Sequence, residues 1–600
     1  MTQESTSSLV QTWLQWDQDP KTRAEIEHLR DANDLDALEL CLRNRIEFGT
    51  AGLRGRMAAG FSCMNSLTVI QASQGLAKYI QTQRPEIAAR GIVIGYDARH
   101  NSRRFAELAA NAFIALHIPV YFFSKTSPTP MVPFGINYFK AAAGIMVTAS
   151  HNPPQDNGYK VYSSNGAQIN RPEDGEIAQA IRDNLEPWAS AWSELQPGEY
   201  LHADAYENLI LHYREQVKEY ANSTVSESRK LSPFIYTPLH GVGGLVLPDV
   251  CDSLGVENFV SVPLQAAPDP EFPTVKFPNP EEAGALDLAI QTADEEGRTL
   301  IIANDPDADR FAAAEKVNGE WFLFTGNHMG ALLASHILDS FKSSDDLSKA
   351  TFLTTTVSSG MLKKMAKAKG AQFQETLTGF KWMGNVARDL ERTGRIVPFA
   401  YEEALGYMFP SVCYDKDGIT AAAVFLLAYA EWKSQGLTAH AKLQQLFREF
   451  GHHETLNNYF RSPNPELTLE LFRGIRKGSF LANMKFGAFK ILRWRDLTEG
   501  FDSASSENKP DLPEDPTSQM LTLWLEGGVR FTIRGSGTEP KVKFYIESCG
   551  TSRDNAVKAV CETFLTIRTE WVQKYTPSMT HSDQLPTSSG HVLNIPINTK

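Results

Sequence analysis

The chain lacks the marks of several protein classes. No run approaches the ~20 apolar residues that a membrane span requires. The longest, TAAAVFLLAYA from Thr420, is too short. The start, MTQESTSSLVQTW, shows no basic segment leading into an apolar one, so a secretory leader is not expected. The 6 cysteines (Cys41, Cys63, Cys251, Cys413, Cys549, Cys561) are scattered without a CxxC pair, which argues against a disulfide scaffold or a zinc ribbon and fits a reducing, cytoplasmic setting. Basic residues are too few for a polyanion binder: 58 Lys and Arg stand against 71 Asp and Glu, a formal charge of −13. General adhesion to nucleic acid or an anionic membrane is therefore disfavoured. Neither a GxxxxGK[ST] loop nor a GxGxxG turn after a strand is present.

What remains is a large folding chain. Apolar residues make up 42% and charged residues 22% of 600 residues. At roughly 100–200 residues per domain, that length predicts about four domains. Three stretches share a β-rich run, a glycine or polar loop, an amphipathic helix and a second β-rich run: from Gly91, Phe234 and Ala350. Each reads as the opening βαβ unit of an α/β domain, and together they suggest an internal repeat. The last quarter differs: LTLWLEGG, VRFTIRG and KVKFYIES predict short antiparallel strands, followed by a helix from Ser552, an α+β unit. FDSASSENKPDLPEDPTS, from Phe501, reads as a mobile insertion or linker, and the Thr, Ser and Pro-rich residues after Tyr575 as a flexible tail.

Four loops carry candidate chemistry. GIMVTASHNPP, from Gly144, ends an apolar run in a turn that presents Ser150 and His151, a hydroxyl at a strand end. TLIIANDPDADR runs a buried strand into Asp305, Asp307 and Asp309, followed by Arg310. Three carboxylates at alternate positions repel one another unless a cation offsets them, and hard oxygen donors suit magnesium. In FTIRGSGTEPKVKFY, Arg534, Ser536, Gly537 and Thr538 combine a guanidinium fork, hydroxyls and close backbone approach, a small phosphate cradle. FAYEEALGYMFPSVCYDKDG places Glu402 and Glu403 before a turn and Lys416 beyond it, and carboxylates accept hydrogen bonds from sugar hydroxyls. TLTGFKWMGN, with Thr378, Gly379 and Lys381, is a weaker signal, and HGVGG at His240 reads as a helix-start turn.

GTAGLRG, TASHNPP, DPDADR, EEALGY and RGSGTEP, in that order over nearly the whole chain, resemble the α-D-phosphohexomutase superfamily, and within it the phosphoglucomutase-2/phosphopentomutase branch. The resemblance implies three related α/β domains with mixed sheets and a C-terminal α+β domain around a central cleft. The expected borders are 1–215, 216–325, 326–450 and 451–575, with 576–600 as the tail. It implies Ser150 as the phosphorylated nucleophile, with Asp305, Asp307, Asp309 and the Ser150 phosphate as magnesium ligands. Arg54 and Lys416 would lie at the transferring phosphoryl group, Arg310 would bind substrate, Thr378 and Glu402 would hold the sugar, and Gly379 and Lys381, beside Thr378, would bind substrate. Arg534, Ser536, Gly537 and Thr538 would grip the phosphate that is not transferred. His151 and Lys160 are the acid/base candidates, and the choice between them stays open.

Many hexose-specific members carry Glu-x-Ser in the sugar loop. Here the residues are Glu402 and Ala404, so a hydroxyl that could bond a hexose is missing. The expected reaction moves phosphate between C1 and C5 of ribose or deoxyribose, with glucose 1-phosphate and 6-phosphate as a second pair. It would need Mg2+ and a sugar bisphosphate activator, glucose 1,6-bisphosphate or ribose 1,5-bisphosphate. Small sugar phosphates are the expected partners of a cytoplasmic monomer or weak homodimer. The alternatives are a glucose-1,6-bisphosphate synthase, which the same motifs would serve, a simple phosphatase, and an inactive sugar-phosphate-binding scaffold.

Overall fold

The computed structural model describes residues 4–49, 52–226, 230–256, 258–477, 485–536 and 540–595. The chain forms two compact units, 1–353 with 379–438, and 354–378 with 439–600.

The first unit opens with three short helices, Thr6–Trp16, Pro20–Asp31 and Leu35–Leu42, each started by a capping side chain (Ser5, Asp19, Asp34) that accepts a backbone N–H. Trp13 and Phe61 meet edge to face in their core, and the Arg45 guanidinium covers Phe61 at 4.2 Å. A mixed six-stranded sheet follows, in the order Gly52–Arg56, Asp156–Ser163, Ala143–Val147, Ile92–Tyr96, Val120–Phe122, Leu201–His202. Ile92–Tyr96 and Ala143–Val147 run parallel and are buried throughout, which is why they read as unbroken apolar runs. A mixed five-stranded sheet comes next, Glu320–Leu323, Ala312–Val317, Leu300–Ala303, Ile235–Thr237, Val260–Ser261. The hairpin of Ala400–Glu402 and Gly406–Met408 presents the EEALGY turn. Beside these lies Gly418–Ser434, the helix containing TAAAVFLLAYA. It is buried on nearly every side, as an all-round apolar helix must be when it lies in a protein core. Among the described residues no helix is long and apolar enough to cross a membrane.

The second unit is built on an antiparallel sheet, His452–Arg461, Lys541–Gly550, Val529–Gly535, Met520–Leu525, Phe489–Asp496 and Lys485–Phe486, covered by the helices Pro465–Lys477 and Arg553–Thr566. Residues 354–378 add the helix Met361–Lys369 and the strand Gln372–Thr376.

Two expectations of mobility fail. Residues 576–595 form a hairpin, Gln584–Pro586 with Val592–Asn594, rather than a flexible tail. Met579, Leu585 and Ile595 are buried in the second unit's core, and Ser588 N donates to Thr455 O. Likewise the segment after Phe501 is pinned. Phe501 stacks on Trp494 at 4.2 Å, Asp502 receives the Arg493 fork, and Asp511 pairs with buried Arg495 at 3.0 Å.

Candidate active site

Ser150 follows the strand Ala143–Val147 in a turn that puts it at φ +54°, a left-handed conformation uncommon outside glycine. The surroundings enforce this backbone. Ser150 N donates to Thr148 Oγ1 at 2.9 Å, and the Thr148 hydroxyl donates to Asp97 at 2.6 Å. Arg99, 4% exposed, donates to the carbonyls of Ser150 (2.6 Å), Asn152 (2.5 Å), Pro153 (2.8 Å) and Asp156 (3.3 Å). Its Nε lies 3.4 Å from Asp97, and its guanidinium rests on the Phe272 ring. Asp97 and Arg99, in GYDARH at the end of a buried strand, thus clamp the serine loop from beneath. Sequence reasoning missed both, although an acid and a base placed two residues apart after an apolar strand was a usable signal.

The Ser150 hydroxyl donates to Asp305 Oδ2 at 2.8 Å and lies 3.2 Å from His151 Nδ1. Burial, then the nearby Arg310 and Arg54, hold His151 well below the usual histidine range.

Asp305, Asp307 and Asp309 are fully buried, with one carboxylate oxygen of each within 4.8 Å of the others. Burial and then repulsion from its two neighbours push Asp305 well above the carboxylate range. Asp307 goes the other way: burial is outweighed by Lys160, which holds the carboxyl below its usual value. Lys160 Nζ reaches Asp307 at 2.7 Å and Asp309 at 2.8 Å, Lys416 Nζ reaches Asp309 at 3.3 Å, and Thr129 donates to Asp307 at 2.6 Å. Even so, Asp307 Oδ1 and Asp309 Oδ1 are buried without hydrogen-bond partners. Orphaned buried carboxylate oxygens are costly unless something positive meets them. All-oxygen donors in this arrangement fit a hard divalent cation.

The loop is shaped from behind. Val242 N donates to Pro306 O, and a side chain at Gly241 would strike Pro306. Gly418 packs so closely on Arg310 O that a Cβ would sit 2.1 Å from it. HGVGG and the glycine of YDKDG therefore serve the acidic loop, a role the sequence reading did not give them.

Arg54 lies exposed on the strand Gly52–Arg56, its Nη1 3.5 Å from Asn152 Oδ1. Arg310 N donates to Asp305 at 2.9 Å, and its guanidinium extends to Asn279. Burial pushes Glu402 up to about 7 against the opposing pull of Lys416. The first unit thus brings Ser150, His151, Lys160, Asp305, Asp307, Asp309, Arg310 and Lys416 together, with Arg54 and Glu402 within their electrostatic reach. Gly379, at φ +102°, starts the helix Phe380–Arg392, on which the Lys381 ammonium sits over Trp382 at 5.3 Å.

In the second unit Arg534 Nη1 donates to Thr378 Oγ1 at 2.8 Å, which joins two of the expected ligand-binding residues. Ser536 N donates to Lys541 O. Gly537 and Thr538 lie outside the described residues.

Three family models match the chain in order: phosphoglucomutase/phosphomannomutase α/β/α domain I over residues 45–187, domain II over 212–319 and domain III over 325–450. The chain belongs to the phosphoglucomutase/phosphomannomutase family. Among relatives in this family, it is 42% identical over 599 residues to a phosphoribomutase of Saccharomyces cerevisiae (94% of this chain, 96% of that one). It is 43% identical over 554 residues to the human phosphopentomutase (90% of each). A human glucose 1,6-bisphosphate synthase is 40% identical over 565 residues (92% of this chain, 91% of that one). The fold matches that of a phosphoglucomutase/phosphomannomutase family protein from Burkholderia thailandensis (TM-score 0.62, 19% identity, 89% of this chain and 98% of that one). It also matches the phosphoglucomutase parafusin from Paramecium (TM-score 0.64, 18% identity, 89% and 97%).

Proposed function

We propose that this family member is a phosphopentomutase that moves a phosphoryl group between C1 and C5 of ribose and deoxyribose phosphates, with the glucose 1-phosphate/6-phosphate pair as a slower second substrate. One observation carries the reading: the Ser150 hydroxyl, fixed in a strained turn, is 2.8 Å from a buried cluster of three carboxylates. Similarity to enzymes named phosphoribomutase and phosphopentomutase, together with Ala404 in the sugar loop, favours pentoses over hexoses.

In this reading phosphorylated Ser150 donates its phosphoryl group to a free sugar hydroxyl, giving a bisphosphate that reorients and returns its other phosphoryl group to Ser150. Asp305, Asp307 and Asp309, with the serine phosphate, would hold a magnesium ion that offsets charge on the transferring oxygens. Arg54 and Lys416 stabilise the same charge from the protein side. His151, next to the serine, and Lys160, which meets two of the carboxylates, remain the candidates for moving the proton of the attacking hydroxyl. Glu402 and Thr378, with Gly379 and Lys381, orient the sugar, while Arg310, Arg534, Ser536, Gly537 and Thr538 bind its phosphates. The functional domains would be 1–215, 216–325, 326–450 and 451–595, the last taking in the hairpin that packs on its core. The enzyme would work in the cytoplasm as a monomer or weak homodimer, primed by glucose 1,6-bisphosphate or ribose 1,5-bisphosphate.

A coupled assay comparing ribose 1-phosphate, glucose 1-phosphate and an acyl-phosphate donor tests the proposal. The expected order is a higher kcat/KM for ribose 1-phosphate than for glucose 1-phosphate, and little bisphosphate released with the acyl phosphate. Dominant bisphosphate release would instead favour the synthase reading, which the 40% identical relatives keep in view. Ser150→Ala should lower turnover at least about a thousandfold.

A further inference from the structure

The second unit contains a cluster of reactive side chains that no step above uses. Cys549, half-buried on the strand Lys541–Gly550, lies with its Sγ 2.8 Å from the Nζ of Lys364 on the helix Met361–Lys369. Lys364 Nζ is also anchored on Phe450 O at 3.0 Å. Directly across the sheet from Cys549 stands His453, 5% exposed, whose Nδ1 is 2.9 Å from Glu547. His453 Nε2 is buried with no hydrogen-bond partner. Glu547 is itself fixed by Gly360 N at 3.0 Å, by Arg530 at 3.1 Å and by the Ser359 hydroxyl. The chain of charges thus runs from Arg530 through Glu547 and His453 to Cys549 and ends at exposed Lys364.

This environment sets Cys549 apart. Burial pushes the thiols of Cys41, Cys251, Cys413 and Cys561 up. For Cys549 burial acts the same way, but His453 and then Lys364 outweigh it and hold the thiol below its ordinary value. A thiolate beside a cation and within reach of solvent is the form of cysteine that reacts with oxidants. A side chain at Gly451 would come within 2.7 Å of Sγ, so the backbone closes one flank of the sulfur.

We propose that Lys364 and Cys549 form a reversible covalent cross-link when the thiolate meets hydrogen peroxide. The thiolate attacks one peroxide oxygen: the S–O bond forms and the O–O bond breaks. The Lys364 ammonium gives a proton to the leaving hydroxide, which departs as water and leaves a neutral amine beside a sulfenic acid. The amine then attacks sulfur: the N–S bond forms, the S–O bond breaks, and a second water carries off the hydroxyl with one amine proton. A thiol reductant returns the lysine and cysteine at the cost of its own oxidation to a disulfide. The bond would tie two segments that also supply the Arg534–Thr378 pair, since the helix Met361–Lys369 leads into the strand before Thr378 and Lys541–Gly550 pairs with the strand of Arg534.

The test uses the full chain, hydrogen peroxide and non-reducing peptide mapping. The expected product is a joined pair of peptides containing Lys364 and Cys549, two hydrogens lighter than their sum and separated by dithiothreitol. Lys364→Arg should abolish the joined pair and leave a sulfenic acid on Cys549 that dimedone captures. In the unmodified wild type, iodoacetamide should alkylate Cys549 about tenfold faster than half-buried Cys561. Two results would overturn the proposal: sulfenic or sulfinic acid accumulating on wild-type Cys549 without the cross-link, or an alkylation rate no higher than that of Cys561.

Discussion

The Ser150 loop and Arg534 both handle phosphate in the proposed reaction, yet they rest on different kinds of anchor. Ser150 sits above a fully buried clamp: Arg99 satisfies four carbonyls, Asp97 neutralises Arg99 and fixes Thr148, and Thr148 fixes the Ser150 backbone. Arg534 is half-buried, donates from Nη1 to the Thr378 hydroxyl, and lies 5.8 Å from the Tyr545 ring. A nucleophile must meet its reacting atom within fractions of an ångström, so its loop is over-determined. A grip that releases one phosphate and takes another as the bisphosphate turns gains nothing from such rigidity.

Substitutions can break or sharpen that contrast. The largest effect is expected at Asp305, the acceptor of the Ser150 hydroxyl: Asp305→Asn should lower kcat about a thousandfold with little change in KM. A chelator should act in the same direction on the wild type and be reversed by magnesium. Next, Arg99→Lys should lower kcat about 10- to 100-fold, because one ammonium cannot serve four carbonyls, and it should depress Tm by several degrees. Arg534→Lys should instead raise KM about tenfold and leave kcat within a few-fold. An Arg99 variant that altered KM alone would erase the distinction. Thr378→Val should raise KM less than Arg534→Lys does.

The smallest effect concerns pH. Glu402 titrates near 7 in the fold against 4.5 ordinarily, so the folded state binds the extra proton between those values. This group's contribution to stability therefore declines as pH rises from 4.5 towards 7. If the ionised form accepts the sugar hydroxyl, KM should fall as pH rises through about 7, and Glu402→Gln should flatten the profile.

Much of the candidate site was legible because its residues announce an electrostatic problem. Asp305, Asp307 and Asp309 after an apolar strand demand positive partners, and Lys160 and Lys416 supply them. The clamp was not legible, because Arg99 binds carbonyls, which every residue has and no side-chain pattern reveals. Gly241 and Gly418 were missed for a related reason: what matters there is the space a side chain would fill. The three α/β regions and the antiparallel last quarter followed from strand and helix periodicity. Residues 576–595 did not, since their polar composition hides Met579, Leu585 and Ile595, three widely spaced anchors that bury the segment.

The central claim is that Ser150 carries the phosphoryl group in transit. Peptide mass mapping of the wild type after exposure to ribose 1,5-bisphosphate, before and after a chase with ribose 5-phosphate, tests it directly. The account predicts one phosphoryl group on the Ser150 peptide, lost on the chase as ribose bisphosphate forms. Turnover with Ser150 never phosphorylated, or with the phosphoryl group stable through the chase, would contradict it.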